Sequence, residues 1–152
     1  MSQDESSAFT TLLQHQLGKL VRTYDLCDQA CSALSGITTA QGYTLLSLPE
    51  KGYLTMNGLS ETLELANSTM TRMVDQLVQK GLVRRKPDAE DRRIVLVGLT
   101  DEGRAMRTTL EQSLQEFFGQ VVAGLQEYEH PVMLHCLERI TALLTEALKS
   151  CC

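Results

Sequence analysis

The residues best suited to chemistry in this chain are cations rather than catalytic acids or bases. Seven of its 14 lysines and arginines fall between Asn67 and Arg93: Arg72, Lys80, Arg84, Arg85, Lys86, Arg92 and Arg93. Four acids share that segment, Asp75, Asp88, Glu90 and Asp91. The segment is therefore net +3 within a chain of net −5, which leaves −8 on the rest. A basic module on an acidic body is the electrostatic footprint expected of a protein that meets a polyanion such as double-stranded DNA. The alternative is a solvated charged loop, and composition alone does not separate the two. Ser68, Thr69, Thr71, Arg72 and Gln76 lie in the first part of that segment. Hydroxyls near a helix start suit phosphate, and a guanidinium or amide can reach base edges in the major groove.

Thiols form the second reactive set. The five cysteines are Cys27, Cys31, Cys136, Cys151 and Cys152. Their odd number and spacing match no disulfide framework or zinc motif, and in a reducing compartment they should be free. Cys27 and Cys31 are spaced to share a helix face. With the vicinal Cys151 and Cys152 they are candidate sensing thiols for an oxidant or a thiophilic metal. The plainer reading makes Cys27, Cys31 and Cys136 small core residues. His15, His130 and His135 are scattered, and no metal site or cofactor is expected. No phosphate-cradling glycine loop, paired carboxylate or triad motif is present, so the chain does not read as an enzyme. A thiol oxidoreductase built on Cys27 and Cys31 is the catalytic alternative, although a C-x-x-x-C inside a helix is poorly placed for a disulfide.

These groups need elements to position them. Three long amphipathic helices are expected: from about Ala8 to Leu34, from Thr100 as N-cap through Leu125, and from near Pro131 through Leu148. Between the first two lies a region of short elements. Thr38-Thr39-Ala40-Gln41 fits a capping box opening a helix through Leu48. Thr55 can cap a short helix bearing Leu59, Leu63 and Leu65. Asn67 or Ser68 can cap a helix with Met70, Met73, Val74, Leu77 and Val78 on one face, ended by Lys80 and Gly81. Two β-rich runs follow, Leu82 to Lys86 and Arg92 to Leu99, around the turn-rich Pro87–Asp91. There Asp91 is expected to stabilise the loop by pairing with Arg93 or Arg92.

The order of elements gives a mainly α fold, a winged helix-turn-helix with long flanking dimerisation helices and a two-stranded wing. Residues 37–100 would form the DNA-binding region, and 1–36 with 101–152 the helical dimerisation region. The flanking helices offer more apolar surface than one small module covers, so a homodimer is expected. No apolar run is long enough for a membrane span, and the polar start is no signal peptide, so the cytoplasm is the expected compartment.

Leu77-Val78-Gln79-Lys80-Gly81-Leu82-Val83-Arg84-Arg85 resembles the end of the recognition helix and the first wing strand of MarR-type regulators. Asp91-Arg92-Arg93-Ile94-Val95-Leu96-Val97-Gly98-Leu99-Thr100-Asp101-Glu102-Gly103 resembles that family's wing signature. Ser68 to Asp75 is similar to its recognition helix. The resemblance covers about Ile37 to Arg104. It implies a triangular homodimer with interlaced terminal helices and a recognition helix in the major groove. It also implies Arg93 in the minor groove and an effector site near the junction of the two regions. Two positions depart from the family pattern, Gly42 where an aromatic residue is frequent and Ser60 where alanine is. The function implied is a sequence-specific DNA-binding transcription regulator, a repressor relieved by a small-molecule effector or thiol chemistry, on a pseudo-palindromic site. DNA contacts are expected from Ser68, Thr69, Thr71, Arg72, Gln76, Arg84, Arg85, Lys86, Arg92 and Arg93. A winged-helix protein-interaction module without DNA binding is the non-catalytic alternative.

Overall fold

The computed structural model describes residues 3–151, and the side chains of residues 5–27, 29 and 36–150. In chain order its elements are α1 (Gln3–Ser35), α2 (Thr39–Ser47), β1 (Leu54–Thr55), α3 (Met56–Thr62), α4 (Asn67–Gln79), β2 (Val83–Pro87), β3 (Val95–Leu99), α5 (Asp101–Ala123) and α6 (Glu129–Cys151). This is the expected winged helix-turn-helix with one addition. Leu54 and Thr55 pair antiparallel with Val97 and Leu96, so the sheet has three strands in the order β1-β3-β2 rather than two. A two-residue strand is too short to show an alternating pattern in sequence.

The chain divides after Leu110 into two units. The first holds the hydrophobic core. Leu45 and Leu48 of α2, Leu59 of α3, Met70, Val74 and Leu77 of α4, and Val83, Val97 and Leu99 of the sheet are buried together with Ile37 and Leu82. Val78, expected on the same stripe of α4, is 40% exposed, being about 80° around the helix from Met70. Ser60 packs as a small residue, buried, with its hydroxyl donating to the Met56 carbonyl at 3.0 Å. The hydroxyls of Tyr24 on α1 and Tyr43 on α2 are hydrogen-bonded to each other.

Local signals explain the element ends. The Thr38 hydroxyl accepts the Gln41 N–H at 3.3 Å, and the Gln41 side chain accepts the Thr38 N–H at 3.1 Å, completing the capping box. Thr55 accepts the Gly58 N–H at 2.9 Å and starts α3. That helix stops at Thr62, short of Leu65, because Glu64 turns left-handed with φ 52°. The cap of α4 is Ala66, with no side-chain bond, instead of Asn67 or Ser68. Strand β3 begins at Val95 rather than Arg92, since the residues before it are taken up by a closed turn.

One joint ties these pieces together. Gly81, with φ 73°, ends α4 in a Schellman motif: its N–H donates to the Val78 carbonyl and that of Leu82 to the Leu77 carbonyl. The Thr100 hydroxyl then donates to the Gly81 carbonyl at 2.6 Å and accepts the Gly103 N–H at 3.0 Å. The Thr100 N–H donates to the Leu82 carbonyl at 3.1 Å. A Cβ on Gly103 would lie 1.9 Å from that same carbonyl oxygen. One turn on, Arg107 donates to the Leu48 carbonyl at the end of α2 at 2.5 Å.

The second unit is the remainder of α5 with α6. Glu129 accepts the Gln126 N–H at 2.7 Å and starts α6 two residues before Pro131. Its apolar side chains stay open to solvent, Leu134, Leu143, Leu144 and Leu148 among them, as do Phe9, Leu12, Leu20 and Leu26 of α1 in the first unit.

Two glycine substitutions separate close approach from mere flexibility. Gly103→Ala forces backbone apart and should lower unfolding stability by about 1–3 kcal/mol. A Cβ on Gly42 would meet only ordinary contacts, 3.8 Å from side-chain atoms of Ile37 and Leu110. Gly42→Ala should therefore raise stability by about 0.5–1 kcal/mol through helix propensity. Urea denaturation of the two variants measures both signs, and a Gly103→Ala protein as stable as wild type would remove the joint from the account.

Candidate nucleic-acid interface

On α4 the buried stripe leaves Ser68, Thr69, Thr71, Arg72 and Gln76 exposed, as the helical period requires. They are not equally available. The Thr71 hydroxyl donates to the Asn67 carbonyl at 2.8 Å. The Gln76 side-chain oxygen accepts from the Gln41 amide at 2.9 Å, which fixes its orientation and ties α4 to the start of α2. Sequence reasoning did not reveal Gln41 as this partner, because 35 positions separate the two and only the fold brings them together.

Strand β2 sorts its cations by alternation. Val83 points into the core, and Arg84 and Lys86 leave by one face while Arg85 leaves by the other. Arg84 sits 5.5 Å and Lys86 3.8 Å from the ring centroid of Tyr53. The ring lies over Gly98, the β3 partner of Arg84, where a Cβ would come within 2.7 Å of it. Two cations on one ring gain cation–π attraction of roughly 0.5–1 kcal/mol each at exposed sites, and the ring limits where they can point. Nothing near Tyr53 in sequence signals this role. Arg85 turns toward α4, where Nη1 meets the Asp75 carboxylate at 2.5 Å and Nη2 donates to the Thr71 carbonyl at 3.1 Å. Expected as a DNA contact, it is engaged within the protein.

The wing loop is closed by its acids. Asp88 accepts the N–H groups of Glu90 at 2.8 Å and Asp91 at 3.1 Å. The Asp91 carboxylate accepts the Arg93 N–H at 2.9 Å, and the Asp91 carbonyl accepts that of Ile94. Asp91 thus stabilises the loop, but through the backbone of Arg93 rather than through either guanidinium. A two-residue carboxylate-to-backbone turn needs no rotamer search by a long side chain. The bonds from Asp91 and then Glu90 hold the Asp88 carboxyl below its ordinary value; desolvation opposes them and Lys86 adds a smaller downward pull. A lowered folded pKa means that this anchor is present at neutral pH and is lost only as pH falls through that lowered value. Arg92 and Arg93 remain exposed on the loop.

Of the candidate thiols, Cys27 is half-buried and free. The side chains of Cys31 and Cys151, and Cys152 altogether, lie outside the described residues. Cys136 is free and exposed rather than in the core. Among the described residues no three His, Cys, Asp or Glu side chains gather to hold a metal ion, and no helix is long and apolar enough to cross a membrane. A cleft of about 620 Å³ opens where α1 ends and α2 begins, lined by Gln29, residues 36–41 and Lys80. Lys80 spans it, its ammonium donating to the Gly36 carbonyl at 2.7 Å.

Residues 37–95 match the family model described as the MarR family. The chain is 33% identical to the HTH-type transcriptional repressor MdtR of Bacillus subtilis (strain 168), over 74% of this chain and 70% of MdtR. It is 32% identical to the multiple antibiotic resistance protein MarR of Escherichia coli (strain K12), over 82% of this chain and 90% of MarR. Its backbone is similar to that of Streptococcus pneumoniae FabT in a crystal structure with DNA, with a TM-score of 0.80 at 20% identity, over 90% of this chain and 98% of FabT.

The placement of the cations predicts a contrast between two arginines. Arg93→Ala should weaken binding to all duplexes alike and reduce the salt slope by about one. Arg72→Ala should relax sequence preference, at a cost of about 1–3 kcal/mol on the preferred duplex. Titrations at several salt concentrations check both, and an unchanged affinity of Arg93→Ala at physiological salt would take the wing out of the interface.

Proposed function

This chain belongs to the MarR family and is a DNA-binding transcription regulator; from that premise we propose that it acts as a cytoplasmic, homodimeric repressor, without a catalytic step of its own, released from a pseudo-palindromic site by an effector. The observation that carries the reading is the combination of an outward polar face on α4 with a loop whose Asp88 and Asp91 carboxylates are bonded to its own backbone and whose arginines, Arg92 and Arg93, stay exposed. In the proposed complex α4 lies in the major groove, and Arg93 enters the minor groove, where negative potential is strongest when the groove is narrow. Ser68, Thr69, Thr71, Arg72, Gln76, Arg84, Lys86 and Arg92 supply the remaining base and phosphate contacts.

In this reading residues 37–100 form the DNA-binding region, and 1–36 with 101–152 the dimerisation region. The support is apolar surface. Leu12 and Leu26 of α1 are 62% and 67% exposed, and Leu148 of α6 is 67% exposed. Large contiguous apolar faces on a folded chain mark an interaction site, and a second copy covers both helices at once. The effector, a small molecule or a thiol-reactive agent, would act at the junction between regions. The cleft lined by Lys80 and residues 36–41 and the half-buried Cys27 thiol are its two candidate entry points.

Sedimentation equilibrium at micromolar concentration should give twice the 16.9 kDa chain mass; a well-folded monomer would contradict the dimer. DNA binding by wild type and by a Cys27→Ser/Cys31→Ser variant, each with and without diamide, separates the two effector classes. A response in wild type alone assigns sensing to the thiols, and equal responses remove that pair.

A further inference from the structure

One cation of the basic segment is engaged within the protein. Arg85 leaves β2 on the face opposite Arg84 and Lys86 and forks onto α4, one nitrogen on the Asp75 carboxylate at 2.5 Å and the other on the Thr71 carbonyl at 3.1 Å. Thr71 and Asp75 are one turn apart, so both acceptors lie on the same side of α4. A planar guanidinium bonded at two points fixes direction as well as distance. The side chains of Arg85 and Asp75 are 30% and 48% exposed, so both reach the surface beside Arg72 and Gln76.

We propose that Asp75 is a specificity-determining positioning residue, which holds Arg85 as a strut between α4 and the wing and withholds its charge from phosphate. Two consequences follow from the geometry. The strut sets the angle of β2 to α4, so the reading face and the wing arginines move as one. It also removes one cation from the sequence-independent part of binding. Non-specific affinity rests on the number of phosphates neutralised, with a salt slope of about −0.9 for each. An unpaired Arg85 would add to that number and would strengthen every duplex alike, which lowers the ratio of preferred to random binding. An acid on a DNA-reading helix thus acts through the cation it holds. The proposal rests on the DNA-binding reading above.

The test uses the full-length protein, a random-sequence duplex and the duplex recovered by selection from a random pool. Asp75→Asn keeps the shape and removes the charge. It should steepen the salt slope on random DNA by about one unit and raise random-duplex affinity severalfold near 0.1 M salt. The ratio of selected to random affinity should fall correspondingly. Arg85→Gln should leave the slope on random DNA as in wild type, because Arg85 touches no phosphate while Asp75 holds it. Loss of packing alone would move melting temperature without moving either slope. An unchanged slope and ratio in Asp75→Asn overturns the proposal. So does a slope flattened by about one in Arg85→Gln, which needs no result from the Asp75 variant. A wild type that bound neither duplex would instead overturn the DNA-binding reading, so the two failures are distinct.

Discussion

At Gly103 the backbone of α5 passes so close to the Leu82 carbonyl that a Cβ would stand 1.9 Å from its oxygen. That approach brings four chain segments to one point. Helix α4 ends there in the left-handed Gly81, β2 leaves from Leu82, β3 arrives at Leu99, and α5 starts on the Thr100 cap. All the bonds at the point involve backbone groups, which have fewer alternative positions than side chains. Helix α4 and the wing are therefore referenced to the same few atoms at the start of α5. A joint without slack means that a displacement of α5 at its start is passed to α4 and the wing together.

Around this joint, acids carry the organisation that makes cations useful. Asp88 and Asp91 are bonded to backbone N–H groups within the loop, which fixes where those carboxylates sit. Asp75 occupies Arg85, and Tyr53 restrains Arg84 and Lys86. Seven cations in sequence thus become a graded set in space: Arg72 exposed on α4, Arg92 and Arg93 exposed on the loop, Arg84 and Lys86 guided by a ring, Arg85 committed to α4, and Lys80 spanning the cleft to Gly36. Net charge of the segment says nothing about that grading.

Much of this was legible in the sequence where the signal is local. The Thr38–Gln41 capping box, the Thr55 cap, the Gly81 helix end and the Met70–Val74–Leu77 stripe are each set by residues within one or two turns, and each stands where the pattern put it. Errors arose where a partner lies far along the chain. Strand β1 exists because Leu54 finds Val97, Gln76 is fixed by Gln41, and Tyr53 covers Gly98. The Asp91 carboxylate takes the Arg93 N–H as its donor, where composition points to a guanidinium and loop geometry favours the nearer N–H. Arg85 looked like its neighbours in sequence, and only strand alternation against α4 set it apart.

The central claim is that two copies of this chain read DNA with the α4 face and the exposed wing arginines. It is tested most directly by selecting duplexes from a random pool with the wild-type protein. The account predicts an enriched inverted repeat whose half-site centres lie about one helical turn, roughly 10 bp, apart. A single asymmetric half-site, or a pool with no enrichment over random sequence, would contradict it.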